Sequence, residues 1–241
     1  MKFLCNVLRT AALAVGLAGA TGAGAATVTL ATYQFATPPG TTLGIDTVTI
    51  VGGPTGNLVT NAGAFLGSVT GAPGFNTNSL YTFCVELGQN IAGFGVAANN
   101  YTPVNPSTGY TGGPSNGWGL SAAAISTRLD QLLAYVLGPG GGVNNATEAS
   151  ALQLAVWETI YDFGNNDLTG GSFKATTPSG ADLKANMFLS GSLGYLGPVT
   201  HYWVMTSPNL QDVLVPVSEP GSFALAGIAL LGLARSRRRC S

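Results

Sequence analysis

The sequence predicts a β-rich α+β fold: one domain of short strands, with two helices near its middle. Three observations predict it. Short runs that alternate apolar and polar residues recur between clusters of Gly, Pro, Asn and Thr, as at 27–33, 47–51 and 80–87. Two segments, about 121–137 and 146–162, switch to helical spacing. Between two distinctive ends, about 190 residues remain, enough for one sizeable core.

Residues 1–26 read as a secretory signal. Lys2 and Arg9 form a short basic region, 11–20 is almost wholly small and apolar, and Ala23-Gly24-Ala25 supplies small residues for signal peptidase. Cleavage is expected after Ala25 or Ala26. Cys5 precedes the apolar stretch, which is not where a lipoprotein cysteine sits.

The domain is expected over 27–216. Thr27-Val28-Thr29-Leu30-Ala31-Thr32-Tyr33 alternates as a half-buried strand does, and Thr47-Val48-Thr49-Ile50-Val51 repeats the pattern before a Gly52-Gly53-Pro54 turn. In 80–87, Tyr81, Phe83, Val85 and Leu87 alternate with Thr82, Cys84 and Glu86, which directs Cys84 away from the bulky row. The first helix carries Ile125, Leu129, Leu132 and Val136 at helical spacing and stops at Gly138-Pro139. Asn145 caps the second, with Glu148 three residues on in a capping-box-like start, and Gly164 ends it. That use of Asn145 outweighs reading Asn145-Ala146-Thr147 as a glycosylation sequon. The glycines at 138–145 follow a helix and lack a Lys-Ser/Thr pair, so they form a connector and not a phosphate loop. Asn99, Asn100, Tyr101 and Tyr110 read as a surface loop, either solvated or touching sugar rings. Strands are expected at 201–205 and 212–217.

At 217–241 the chain changes character. Val217, Ser218, Glu219 and Pro220 precede an apolar run at 223–234, followed by Arg235, Arg237, Arg238 and Arg239. Twelve apolar residues make roughly 18 Å of helix, short of the roughly 30 Å hydrocarbon core. The arginines favour the cytoplasmic side and orient the domain outwards. This tripartite ending resembles the PEP-CTERM sorting signal of Gram-negative bacteria, with Ser218-Glu219-Pro220 where the usual string is Pro-Glu-Pro. The resemblance implies processing by an exosortase. It also implies transient anchoring in the inner membrane, then residence at the cell surface or in extracellular matrix.

Of nine basic residues only Arg128, Lys174 and Lys184 lie in the domain, against ten acidic residues counted to Glu219, a balance of −7. No basic patch for nucleic acid is present in such a sequence. Polysaccharide and cationic partners remain compatible with it. One His and one domain cysteine are too few for a zinc site, and the acids lack calcium-loop spacing, so no metal or other cofactor is expected.

Two residues carry the chemistry. Cys84 is the one cysteine left when Cys5 and Cys240 fall in the terminal segments, so it has no disulfide partner within its processed chain. Gln153 shares a helix face with Ala149, Val156 and Ile160, a primary amide among apolar side chains. The bland reading makes Cys84 a buried small hydrophobe and Gln153 a hydrogen-bonded core amide, in a structural or adhesive protein of the envelope or biofilm matrix. A Cys84–His201 hydrolase is a weaker alternative, because the one histidine sits in a strand-like run.

The strings around these residues point further. Phe83-Cys84-Val85-Glu86 and Gln153-Leu154-Ala155-Val156-Trp157 resemble, in that order, the cysteine and Gln-x-Ala-Ile/Val-Trp motifs of bacterial surface thioester domains. Leu152 stands where that family usually has threonine. The resemblance implies a Cys84–Gln153 thioester, formed with loss of ammonia and opened once, without enzymatic turnover, by an amine or hydroxyl on a surface or matrix target, exopolysaccharide included. Glu86, Glu158 and Asp162 are candidates for proton transfer, and Tyr81, Phe83, Trp157 and Tyr161 for shielding the bond from water.

Overall fold

The computed structural model describes residues 28–35, 45–70, 77–89, 99–106, 110, 122–197 and 202–216. Among them are nine strands and three helices. In chain order these are β1 (Val28–Phe35), β2 (Asp46–Gly52), β3 (Leu58–Ala62), β4 (Phe65–Thr70), β5 (Thr77–Cys84), β6 (Asn99–Val104), α1 (Ala122–Leu137), α2 (Ala146–Tyr161), β7 (Phe173–Thr176), α3 (Ala181–Gly191), β8 (Tyr202–Thr206) and β9 (Val213–Pro216). The expected β-rich α+β class is the observed one.

Six strands close into a barrel in the order β1-β4-β5-β9-β8-β6, and β3-β2-β7 form a second sheet. Every strand pairing is antiparallel. Closure gives each barrel strand two neighbours, so none presents an open edge to water. In β2 the Thr/Val alternation decides the faces. Val48 and Ile50 are buried, and Thr47, Thr49 and Val51 are exposed. Gly52 ends that strand at φ +84°, where a side chain would be strained and would collide with the Ser172 carbonyl.

Helix α2 lies at the centre. It packs against α1, α3, β2, β3, β5 and β7, and all of its residues from 149 to 160 are buried. A helix apolar on every side belongs in a core, so the expectation that one apolar face carries a misplaced glutamine is replaced by burial all round. Asn145 caps the helix as expected, its Oδ1 accepting from Glu148 N at 2.9 Å. The return bond shifts by one residue, because Glu148 Oε2 accepts from Asn144 N at 2.8 Å.

The structure corrects the sequence reading in three places. Helix α3 was not expected: Gly180 starts it in the left-handed region with no side-chain cap, so it lacks a start signal. Strands β3, β4, β6 and β7 were not expected either: β3, β4 and β6 carry Asn, Gly, Ser or Pro among their strand formers, and β7 has only four residues. The expected loop at 99–110 begins with β6, and Tyr101 and Tyr110 are both buried, so neither is free to meet a sugar ring. His201, Ser218, Glu219, Pro220 and both terminal segments lie outside the described residues. Among the described residues no helix is long and apolar enough to cross a membrane.

Candidate functional site

Cys84 is the last residue of β5. One edge of β5 pairs with β4 up to Phe65↔Thr82, where β4 begins. The other pairs with β9 through Phe83↔Leu214 and Cys84↔Val213, and Val85 N donates to Asp212 O at 3.1 Å just beyond. On the β4 side, the backbone of Cys84 has outrun its strand partner. Buried backbone groups need partners, and Gln153 of α2 supplies both. Its Oε1 accepts from Cys84 N at 2.8 Å and its Nε2 donates to Cys84 O at 2.8 Å. The primary amide thus acts as one further residue of strand.

The structure therefore brings Gln153 to Cys84, but onto its backbone. A different amide meets the sulfur. Gln211, in the segment entering β9, has its Oε1 at 3.0 Å from Cys84 Sγ, which donates to it. Gln211 Nε2 donates to the backbone carbonyl of Glu86. Cys84 and Gln211 are 3% and 8% exposed, so bulk water is largely excluded from the pair. Sequence reasoning missed Gln211. Its one signal was position, a polar Gln211-Asp212 pair directly ahead of the apolar run 213–215.

Two buried carboxylates belong to residues next to Gln211, Asp212 in the chain and Glu86 through its backbone carbonyl. Glu86 Oε2 accepts from Asp212 N at 3.3 Å, while Glu86 Oε1 is buried without a hydrogen-bond partner. Asp212 accepts from Ser207 N at 2.8 Å and from the Tyr110 hydroxyl at 3.0 Å. Tyr101 donates its hydroxyl to Gln211 O at 3.3 Å. Burial, then the Asp212 charge, pushes the Glu86 carboxyl up to about 7, against the pull of the Asp212 N–H. Asp212 is itself raised by burial, offset by its bonds to Ser207 and Tyr110. Burial and then Glu86 push the Cys84 thiol well above its ordinary value, so it rests protonated.

The other residues singled out by sequence fall into two groups. Trp157 and Tyr161 follow Gln153 at steps of four on α2, one above the other. Trp157 is 2% exposed. The Tyr161 hydroxyl donates to Val85 O at 3.2 Å and accepts from Leu87 N at 3.0 Å, holding the chain on either side of Glu86. Phe83 is buried and Tyr81 half-buried in β5. Glu158 and Asp162 are occupied elsewhere. Glu158 Oε1 accepts from Asp167 N at 3.3 Å, and Asp162 accepts from Ser172 N at 2.7 Å and Phe173 N at 3.2 Å. Of the three carboxylates expected to assist, Glu86 is the one whose residue bonds Gln211, through its backbone carbonyl, and whose charge acts on the Cys84 thiol.

Comparison with known proteins adds an address. Residues 216–239 match the PEP-CTERM protein-sorting motif. The motif implies an exported protein with a C-terminal sorting tail, processed by exosortase. No curated protein matches the chain. Among solved structures, the chain is similar to the N-terminal thioester domain of fibronectin-binding protein SfbI from Streptococcus pyogenes. That alignment has 10% identity and a TM-score of 0.44, and covers 73% of this chain and 95% of that one.

Proposed function

We propose that this exported protein attaches covalently to a target through an internal thioester between Cys84 and Gln211. One observation carries the reading: the Cys84 thiol is hydrogen-bonded at 3.0 Å to the carboxamide of Gln211, in a buried site. An amide is a poor electrophile, and holding the reacting atoms in contact supplies much of what such a reaction needs. Sγ bonds to the Gln211 amide carbon, the bond to Nε2 breaks, and the thiol proton leaves with that nitrogen as ammonia. Gln153 is assigned the positioning role, because both ends of its amide are committed to the Cys84 backbone.

The resulting acyl group is activated. An incoming amine or hydroxyl takes the Gln211 acyl group and releases the Cys84 thiol, once and without turnover. Apart from the target's nucleophile, the chain's own residues supply the groups of this scheme. Exopolysaccharide and protein surfaces both offer suitable nucleophiles, and the sorting tail delivers the domain to the cell surface or matrix where they are found.

Intact mass tests the assignment. The wild-type chain is expected to be one ammonia lighter than its sequence, and Cys84→Ala and Gln211→Ala to have full mass. Gln211→Ala that still loses ammonia would transfer the bond to Gln153. A wild-type chain of full mass with a titratable thiol leaves the structural reading, with Cys84 as a buried, hydrogen-bonded core residue.

A further inference from the structure

The reaction at Cys84 and Gln211 needs a proton carrier. The thiol is a poor nucleophile until it loses its proton, and amide nitrogen is a poor leaving group until it gains one. We propose that the Glu86 side chain is that carrier, taking the proton from Cys84 Sγ and delivering it to Gln211 Nε2. This inference rests on the thioester reading.

Glu86 is tied to both ends of the transfer. It lies two residues beyond Cys84, and its charge acts directly on the thiol. Its backbone carbonyl accepts from Gln211 Nε2, so the nitrogen that leaves is already held at this residue. Its Oε2 is fixed by Asp212 N, the peptide that follows Gln211. Its Oε1 is buried, 1% of the residue being exposed, with no hydrogen-bond partner among the described residues. An orphaned carboxylate oxygen is costly, and here it is the oxygen left open to receive a proton.

The balance is simple. Glu86 gains the thiol proton as Sγ bonds to the amide carbon. It returns that proton to Nε2 as the carbon–nitrogen bond breaks, and ends as it began. Nothing is oxidised or reduced. Opening by an amine runs the same path in reverse, with Glu86 accepting the amine's proton and returning it to the leaving sulfur. The groups facing Glu86 are Cys84 from β5, Asp212 from the segment before β9 with Tyr110 bonded to it, and Tyr161 from α2 at the adjacent backbone. Burial, and after it the charge of Asp212, brings the Glu86 carboxyl to about 7, near the working range of a proton carrier.

The test measures two quantities on the full chain: the fraction one ammonia lighter, and the rate at which methylamine opens it across pH. In wild type, the opening rate, corrected for the fraction of neutral methylamine, is expected to fall as pH drops below about 7. Glu86→Gln is expected to form less thioester and open about 100-fold more slowly, without that inflection. Glu86→Asp, which keeps a carboxyl, is expected to recover part of the rate and the inflection. If Glu86→Gln fails to fold by circular dichroism, Glu86→Asp and the wild-type profile decide. A flat wild-type profile, or a Glu86 variant that forms and opens the thioester as wild type does, overturns the role of Glu86 and leaves the thioester standing. A wild-type chain of full mass removes the thioester itself.

Discussion

Gln153 lies against the backbone of Cys84 as a strand would, giving one hydrogen bond and taking another, both at 2.8 Å. The arrangement fixes the end of β5 and, with it, the direction of the thiol. Gln153→Ala leaves a buried N–H and a buried C=O unpaired. The expected cost is about 2–6 kcal/mol, from about 1–3 kcal/mol for each of the two stranded groups. A urea titration checks this in the Cys84→Ala background, where no thioester can contribute. The variant with Cys84 intact is expected to form less thioester, because the sulfur is no longer held to Gln211. A loss below about 0.5 kcal/mol would mean that water replaces the amide and the site is more open than its burial indicates.

Asn145 at the start of α2 offers a separate measurement. Its side chain accepts from Glu148 N at 2.9 Å, and the helix it starts is the core of the domain. Asn145→Ala is expected to cost about 1 kcal/mol, read from the urea midpoint with the slope unchanged. Asn145→Ser, another strong cap, should recover most of it. A glycan at this position would make the two substitutions equivalent.

How much of this was legible in the sequence depends on the range of the interaction. The stops of α1 and α2 and the cap of α2 are local, and 121–137 and 146–162 match the helices to within a residue at each end. The alternation in β2 reports its two faces directly. Helix α3 starts at a glycine with no capping bond and exposes Leu183 and Met187, so neither a cap nor a clean apolar stripe announced it. The site divides in the same way. Cys84 and Gln153 were singled out by local oddity and do meet. The partner of the sulfur was not, because Gln211 lies 127 residues away and reaches Cys84 only through the pairing of β5 with β9. Gln153 was read as the thiol's partner from the resemblance of 153–157 to the thioester-domain glutamine motif, and the sequence does not show where β4 begins, which is what leaves the Cys84 backbone needing an amide.

The loop after α2 is set by Asp162. It accepts from Ser172 N and Oγ, Phe173 N and Asn165 Nδ2, and these bonds outweigh burial to hold its carboxyl below the ordinary value. Gly171 permits the close approach. At φ +70° a Cβ would collide with the Asp162 carboxylate and Asn165 Nδ2. Gly171→Ala is therefore expected to cost about 1–3 kcal/mol, read as a lower thermal midpoint. Gly56, at φ +74° with open space around its would-be Cβ, is the control. Alanine there meets only the backbone preference and should cost less. Equal losses at the two positions would assign the whole effect to backbone conformation and none to the Asp162 contact.

Glu158 sets the expected pH dependence of stability. It is fully buried on α2, and burial, followed by the charges of Asp162 and Asp167, raises its carboxyl to about 8 against the pull of the Asp167 N–H. Between the ordinary value of 4.5 and about 8, the folded state binds this proton more tightly than the unfolded chain does. Unfolding then releases protons, so stability falls as pH rises through that window. Glu86, raised to about 7, contributes with the same sign. Asp162 has the opposite sign, but its lowered value matters only near and below the ordinary aspartate value of 3.8. Thermal midpoints are therefore expected to be higher near pH 5 than near pH 8. Glu158→Gln keeps an oxygen for the Asp167 N–H and removes the titration. It should raise stability near pH 8 and flatten the slope to what Glu86 and Asp212, both raised, leave. An unchanged slope in Glu158→Gln would place the pH dependence with the other acidic groups of the domain.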